Sequence, residues 1–430
     1  MKKMKKMICL VLSLMMLAAL AACGAQPQPE QTAKPQQPAG EIKALAAPVY
    51  PTERHWSEER LSGSDYFTEQ SVSVMLAGLN GGNRVYSPLN IYMALGMLAE
   101  ITDGESREQV LALLGSDNIE ALRAEVKAIW ESEYRDDELL TVLPAASVWL
   151  RDGEDYKQDA LKHLAEDFYA AAFSGPMGDE SYNRALRDWV NERTNHLLEE
   201  QAEGLKMSSD TVIALLTTLY FKGAWSDEFS ESATESETFH AEAGDKEADF
   251  MRGTRTMYYY RGEHFGAVYL SMNGPAGMWL ILPDEGTSLQ ELIDSGEAAA
   301  FLSGRSDWDR EKYIVHLSLP KFDVSVDMSL IEALQALGVK DVFDPNASDF
   351  SPLSDKTLAV SEAEHAARVK IDEKGCEAAA FTVIMVAEGA MLEPEEIPEM
   401  DFVLDRPFLF AVTGRDSVLF LGAIGDPTAE

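Results

Sequence analysis

One stretch limits the folds open to this chain more than any other. Residues Glu373 to Val386 read Glu-Lys-Gly-Cys-Glu-Ala-Ala-Ala-Phe-Thr-Val-Ile-Met-Val, with no proline. Taken with period two, one face is Cys376, Ala378, Ala380, Thr382, Ile384 and Val386, and the other is Glu377, Ala379, Phe381, Val383 and Met385. The first face can be buried in a sheet. Three alanines behind Gly375 and Glu377, however, have poor strand propensity and pin no register. The stretch can therefore be a strand but is not compelled to be one. Two readings are open: a surface strand followed by a loop, or a loop that becomes a strand. The next residues, Ala387 to Pro398, are acidic and proline-punctuated, and read as exposed.

The chain opens with Met1-Lys-Lys-Met-Lys-Lys, followed by an apolar run from Met7 to Ala22. That run of 16 residues is short for a membrane span and suits a secretion signal. It ends Leu20-Ala-Ala-Cys23-Gly, which resembles the lipobox of bacterial lipoproteins: a leader (1–22) cut before a lipidated Cys23. Residues 23–50, with Pro-Gln-Pro-Glu-Gln-Thr-Ala-Lys-Pro-Gln-Gln-Pro inside them, read as a flexible tether. The expected location is extracytoplasmic, lipid-anchored to the bacterial cell membrane or outer membrane, or shed from it.

The body, 51–430, is long enough for two domains, but it contains no linker-like interruption and no internal repeat, so a single large domain is equally open. It is 46% hydrophobic across the whole chain, enough for a sizeable core. Net charge is −37, and loss of the four leader lysines takes it to −41. That balance argues against nucleic acid and against docking on anionic lipid, so a tether would have to do the anchoring. Of the three cysteines, Cys9 leaves with the leader and Cys23 is the lipidation candidate. Only Cys376 remains, so the mature chain is expected to form no intramolecular disulfide.

Helical spacing runs over 66–79 and 107–114, and over 118–132 and 185–198. Ser87-Pro88 caps a further, apolar helix over 89–100. Short strands are predicted at 84–87 and 142–150. The uncharged run 211–221 reads as a strand covered on both faces. From Met257 strands dominate, at 257–260, 265–271, 278–282, 313–319, 402–404, 408–412 and 418–424, with a helix at 330–337. Helices first and strands later give an α+β fold.

Six separated motifs then point to one family. Asn83-Arg-Val-Tyr-Ser-Pro-Leu-Asn-Ile91, Leu219-Tyr-Phe-Lys-Gly-Ala-Trp225 and Leu317-Ser-Leu-Pro-Lys-Phe322 resemble segments of serpins, in order. So do Leu337-Gly-Val-Lys-Asp-Val-Phe343, Ile371-Asp-Glu-Lys-Gly-Cys-Glu-Ala-Ala-Ala380 and Phe402-Val-Leu-Asp-Arg-Pro-Phe-Leu-Phe410. The resemblance implies a five-stranded central sheet with an exposed reactive loop. It implies no enzyme and no cofactor, but a suicide substrate for a serine-type or cysteine-type protease. The protease cuts the loop, is trapped as an acyl-enzyme, and is carried away as the loop inserts as a strand. The hinge would be Glu373, Gly375, Cys376, Glu377, Ala378, Ala379 and Ala380. Cys376 stands where threonine or serine is usual. Counting 14 residues past Gly375 puts the cut bond at Gly389–Ala390, with Glu388 and Met391 as neighbouring candidates. No lysine or arginine lies between Glu377 and Asp405, so the target is expected to be elastase-like or otherwise not trypsin-like. Lys321, Glu373 and Trp225 match the top of the sheet. Ser87, His365 and Thr217 match a polar cluster midway down, with threonine in place of the family's asparagine. A monomer is expected.

Two rival readings remain. In one, Cys376 is a nucleophile with His365 as its base; Glu377 beside the thiol works against it. No Gly-x-Ser-x-Gly elbow or paired-histidine metal motif appears. In the other, the same fold is a non-inhibitory binding module.

Overall fold

The computed structural model describes residues 42–51, 61, 63–304, 308–376 and 397–429. The leader, Cys23, residues 377–396 and hence Glu377 to Ala380 and Glu388 to Met391 lie outside the described residues.

The fold is α+β, built on two large sheets. The first comprises β1 (Lys43–Ala46), β2 (Arg135–Asp136), β3 (Leu140–Arg151), β4 (Ala170–Gly175), β5 (Ile213–Ala224), β6 (Phe322–Ser329), β7 (Glu364–Ile371) and β8 (Gly375–Cys376). Its order is β1-β4-β3-β5-β8-β7-β6, with β2 on β3. The five strands β4, β3, β5, β7 and β6 are the sheet the sequence leads one to expect; β1, β2 and β8 bring it to eight. The second sheet has nine strands, among them Gly244–Arg261, Asp309–Pro320, Phe408–Thr413 and Val418–Ile424.

The helix Pro88–Glu100 starts where its cap says it should. Ser87 Oγ accepts the Asn90 N–H at 3.1 Å, and Pro88 occupies the first turn, where a missing N–H costs nothing. Almost every residue of this helix is buried, in the main core that includes Trp130, Phe250 and Phe410. The opposite face of the first sheet is covered by Glu180–Arg193. There Tyr182, Leu186, Trp189 and Val190 pack with Trp149 and Phe173 in a second core.

Three expectations are corrected. First, residues 42–50 do not belong to a flexible tether. Lys43–Ala46 pairs with Ala172–Ser174, Ile42 is buried in the second core, and the Tyr50 ring stacks on Trp130 at 5.3 Å. Val49 N–H also donates to Ala165 O at 2.9 Å, so 42–51 is held across the sheet edge. Second, the run Ile213–Thr217 is only half-buried, so β5 is not covered on both faces along its length. Third, the helix read over 185–198 is Glu180–Arg193. It stops because Asn195 and His196 adopt φ of 48° and 63°.

Candidate functional site

The site grows from a tight turn at the end of β7. Asp372 Oδ1 accepts the N–H groups of Lys374 (2.8 Å) and Gly375 (3.2 Å), an Asx-type turn that reverses the chain. Gly375 and Cys376 then run back between β5 and β7. Gly375 pairs with Ala224 and Cys376 with Gly223, while Cys376 also pairs with Ile371. Both pairings are antiparallel, so β5 and β7 are parallel to each other. Among the described residues they pair with each other nowhere; β8 alone joins them. Glycine is required at 375 by proximity: a Cβ there would lie 2.2 Å from Gly223 O. Cys376 is 3% exposed, its side chain directed into the main core.

Trp225 holds the turn from outside. Its backbone N–H donates to Lys374 O and its indole Nε1 to Asp372 O, each at 2.9 Å, and its ring meets Phe229 edge-on. Phe229 N–H donates to Glu373 O at 2.9 Å. The Glu373 carboxylate accepts from Thr234 Oγ1 at 2.7 Å and from Lys321 Nζ at 3.3 Å. Burial pushes its pKa up, but these hydrogen bonds and the lysine charge outweigh burial and hold it below the usual value. Lys321 also lies 3.7 Å from Asp249. The structure thus brings Lys321, Glu373 and Trp225 together. Sequence reasoning missed Thr234 and Asp372; the latter was readable from an aspartate three residues before a glycine.

A second cluster lies midway down. His365 Nε2 accepts the Ser87 N–H at 3.0 Å, which puts the ring proton on Nδ1, and Ser87 Oγ donates to Leu419 O at 2.6 Å. Burial alone drives the imidazole pKa down to about 4, so the ring is neutral. Thr217 joins through a residue the sequence reading passed over, Asn90. Thr217 Oγ1 donates to Asn90 O at 3.1 Å and Asn90 Nδ2 to Thr217 O at 3.3 Å. Asn90 Oδ1 is buried without a hydrogen-bond donor among the described residues. Cys376 and His365 do not meet. Cys376 sits opposite Ile371, six residues along β7 from His365, or about 20 Å at the rise of a strand. That separation rules out a nucleophile–base pair.

Comparison with known proteins agrees with this architecture. The profile of the family described as "Serpin (serine protease inhibitor)" matches residues 65–427. A serpin-Z6C of Oryza sativa subsp. japonica is 30% identical over 383 residues, covering 81% of this chain and 92% of the relative. A serpin-like protein of Thermococcus kodakarensis is 26% identical and covers 93% and 94%. Among solved structures, the thermophilic serpin tengpin in its native state superposes with a TM-score of 0.76 at 24% identity, covering 90% of this chain and 99% of that one. Thyroxine-binding globulin, in complex with thyroxine, gives 0.73 at 22% identity, covering 86% and 99%. A mixed α+β fold whose first sheet is divided between β5 and β7, with the two-residue strand β8 seated at one end of the division, is the architecture of a protein of the serpin type. The chain belongs to the serpin family, whose general activity is protease inhibition.

Proposed function

We propose that the protein inhibits serine-type proteases as a suicide substrate, with cysteine proteases of similar loop preference as a second target class. One observation carries this: β8 is the first pair of rungs of a strand between β5 and β7. Extending its register gives the product of insertion. Ala378 falls opposite Phe221 and Val369, Ala380 opposite Leu219 and Ala367, and Thr382 opposite Thr217 and His365. Val386 reaches Ile213, the far end of β5. The positions opposite Cys376, Ala378, Ala380 and Thr382 on β7 are Ile371, Val369, Ala367 and His365, all buried, so this face of the stretch points inward. Its small side chains suit that path. Thr382 would bring a hydroxyl to the level of Asn90 Oδ1, which lacks a donor.

Ladder hydrogen bonds at ~0.5–1.5 kcal/mol each, with Ile384 and Val386 at ~1.5–3 kcal/mol each, give on the order of 10 kcal/mol for insertion. That makes it one-way. The cut bond is assigned to Gly389–Ala390, with Glu388 and Met391 flanking, and the target to an elastase-like or other non-trypsin-like protease. Lipidated Cys23 anchors the chain outside the cytoplasm.

The test is incubation with elastase-like, chymotrypsin-like and glutamyl proteases. The reading requires an SDS-stable complex, with the released peptide identifying the bond; cleavage by every protease without a complex refutes it. A second reading, a non-inhibitory binding module, draws on thyroxine-binding globulin's use of this fold in complex with thyroxine. It predicts loop cleavage without any gain in melting temperature.

A further inference from the structure

Two neighbouring strands of the second sheet part company beside the hinge. Gly244–Arg261 and Phe265–Ser271 pair only where Tyr259–Arg261 meets Gly266–Val268. From Met251 to Tyr258 the first strand pairs with Asp309–Pro320 alone among the described residues. From Tyr269 to Ser271 the second pairs with Gly277–Pro283 alone. Each therefore keeps one edge free, with alternate N–H and C=O groups turned toward the gap. The segment after β5 closes one end, where Ser226 N–H donates to Ser271 O at 3.0 Å. What remains is a cleft of about 380 Å³, within the size range of small-molecule sites. Met257 and Tyr269 line it, together with the hydroxyl-bearing Ser226, Thr256 and Ser271.

Arg255 supplies the cation of this cleft. Its side chain is 10% exposed, whereas that of its counter-ion, Asp227, is 74% exposed. Nε lies 3.2 Å from Asp227 Oδ2, and Nη2 donates to the Asp227 carbonyl at 2.6 Å. A guanidinium carries five N–H donors. Nη1 is buried and has no hydrogen-bond acceptor among the described residues. The Phe229 ring centroid lies 4.0 Å from the guanidinium carbon and covers one face of it. Burial pulls the pKa of Arg255 below its ordinary value, and Asp227 offsets this only in part. A cation so nearly dehydrated and so thinly paired is unfavourable unless another anion joins it. The exposed Asp227 carboxylate can swing into water with little loss, so it marks the position that a ligand carboxylate takes.

We propose that this cleft binds a small organic monocarboxylate with an aryl body, its carboxylate resting on Arg255 in exchange for Asp227. One lining guanidinium matches one negative charge, and a chain of net charge −37 disfavours a multiply charged phosphate. Met257 and Tyr269 suit the aryl body, and the surrounding hydroxyls can bond to the second carboxylate oxygen. The site is tied to the hinge. Phe229, stacked on Arg255, also donates its N–H to Glu373 O at 2.9 Å. Trp225, in the wall of the same cleft, donates Nε1 to Asp372 O at 2.9 Å. A ligand that fixes Arg255 on Phe229 therefore holds the turn that docks Gly375 and Cys376. Occupancy reads out as protection of the Cys376 thiol, whatever the protein does to proteases.

The probe is 4-phenylbutyrate, with uncharged 4-phenylbutanamide as control, titrated into the full-length chain by isothermal titration calorimetry. The acid should bind at least about tenfold more tightly than the amide, the scale of one charged hydrogen bond. Arg255→Met should weaken binding of the acid by at least about tenfold, and Arg255→Lys, which keeps the charge but not the fork, by less. Asp227→Asn removes the resident competitor and should tighten binding by about two- to fivefold. At saturation the acid should slow iodoacetamide labelling of Cys376, followed by mass spectrometry of that peptide, by about fivefold, the low end of coupling between linked sites. Equal affinity for acid and amide, unchanged binding in Arg255→Met, or no binding to either the parent or Asp227→Asn would overturn the site. If Arg255→Met does not fold, the amide comparison and Asp227→Asn decide. Binding without any change in Cys376 labelling would overturn the link to the hinge.

Discussion

Replacing Gly375 by alanine should eject the hinge from the sheet, and Cys376 reports it. The new Cβ would stand 2.2 Å from Gly223 O and 2.9 Å from Ala224 Cα, both backbone atoms that cannot swing aside. Relieving that overlap separates β8 from β5. The Gly375–Ala224 pairing goes, and the bonds from Trp225 and Phe229 to the turn are strained with it. Two to three hydrogen bonds at ~1 kcal/mol each give about 3 kcal/mol, or a roughly 10²-fold larger population of the undocked hinge. In a chain beginning at Gly24, Cys376 is the sole thiol, and in the docked state it is 3% exposed. Its alkylation by iodoacetamide under native conditions should therefore accelerate by about two orders of magnitude in the variant when opening precedes reaction. A rate within about twofold of the parent would mean that the docked hinge is not what protects the thiol, and the contact argument would be refuted.

Three further outcomes follow from named contacts. His365 is held neutral with its pKa lowered from 6.5 to about 4, so the unfolded chain binds the proton more readily. Stability is complete above pH 6.5 and falls by about 3 kcal/mol as pH drops through about 4, and His365→Gln should flatten that part of a urea-denaturation pH profile. Glu133 is buried and accepts the N–H groups of Arg415, Asp416 and Ser417 at 3.0, 2.8 and 2.9 Å. Glu133→Ala strands these donors and should cost about 2–5 kcal/mol by urea unfolding. Tyr50→Ala removes stacking on Trp130 and Tyr169 and should cost about 1–3 kcal/mol, with faster hydrogen exchange at Lys43–Ala46; no change would mean that this segment is not clamped.

Much of the site was legible because its residues carry local signals. Ser87-Pro88 announces a capped helix, and Val418–Ile424 is apolar throughout, so both were placed correctly. The parts that were not legible depend on partners distant in sequence. Ala170–Gly175, Ala-Ala-Ala-Phe-Ser-Gly, has little strand propensity, yet it is wholly buried because β1 and β3 flank it. Lys43–Ala46 has exposed side chains and resembles the end of a linker; only the open edge of β4 makes it a strand. Asn90 was read as one more helical residue, although its position three after Ser87 brings it into the polar cluster. The half-buried stretch Ile213–Thr217 was taken as fully covered because its apolar composition does not show that no neighbour pairs with it on the β7 side among the described residues.

The melting temperature of the protein nicked in its loop, set beside that of the intact form, bears most directly on whether the first sheet accepts another strand. A gain of about 10 kcal/mol over a body of some 380 residues corresponds to a rise of roughly 12 °C. A nicked sample that melts at or below the temperature of the intact one would contradict the account.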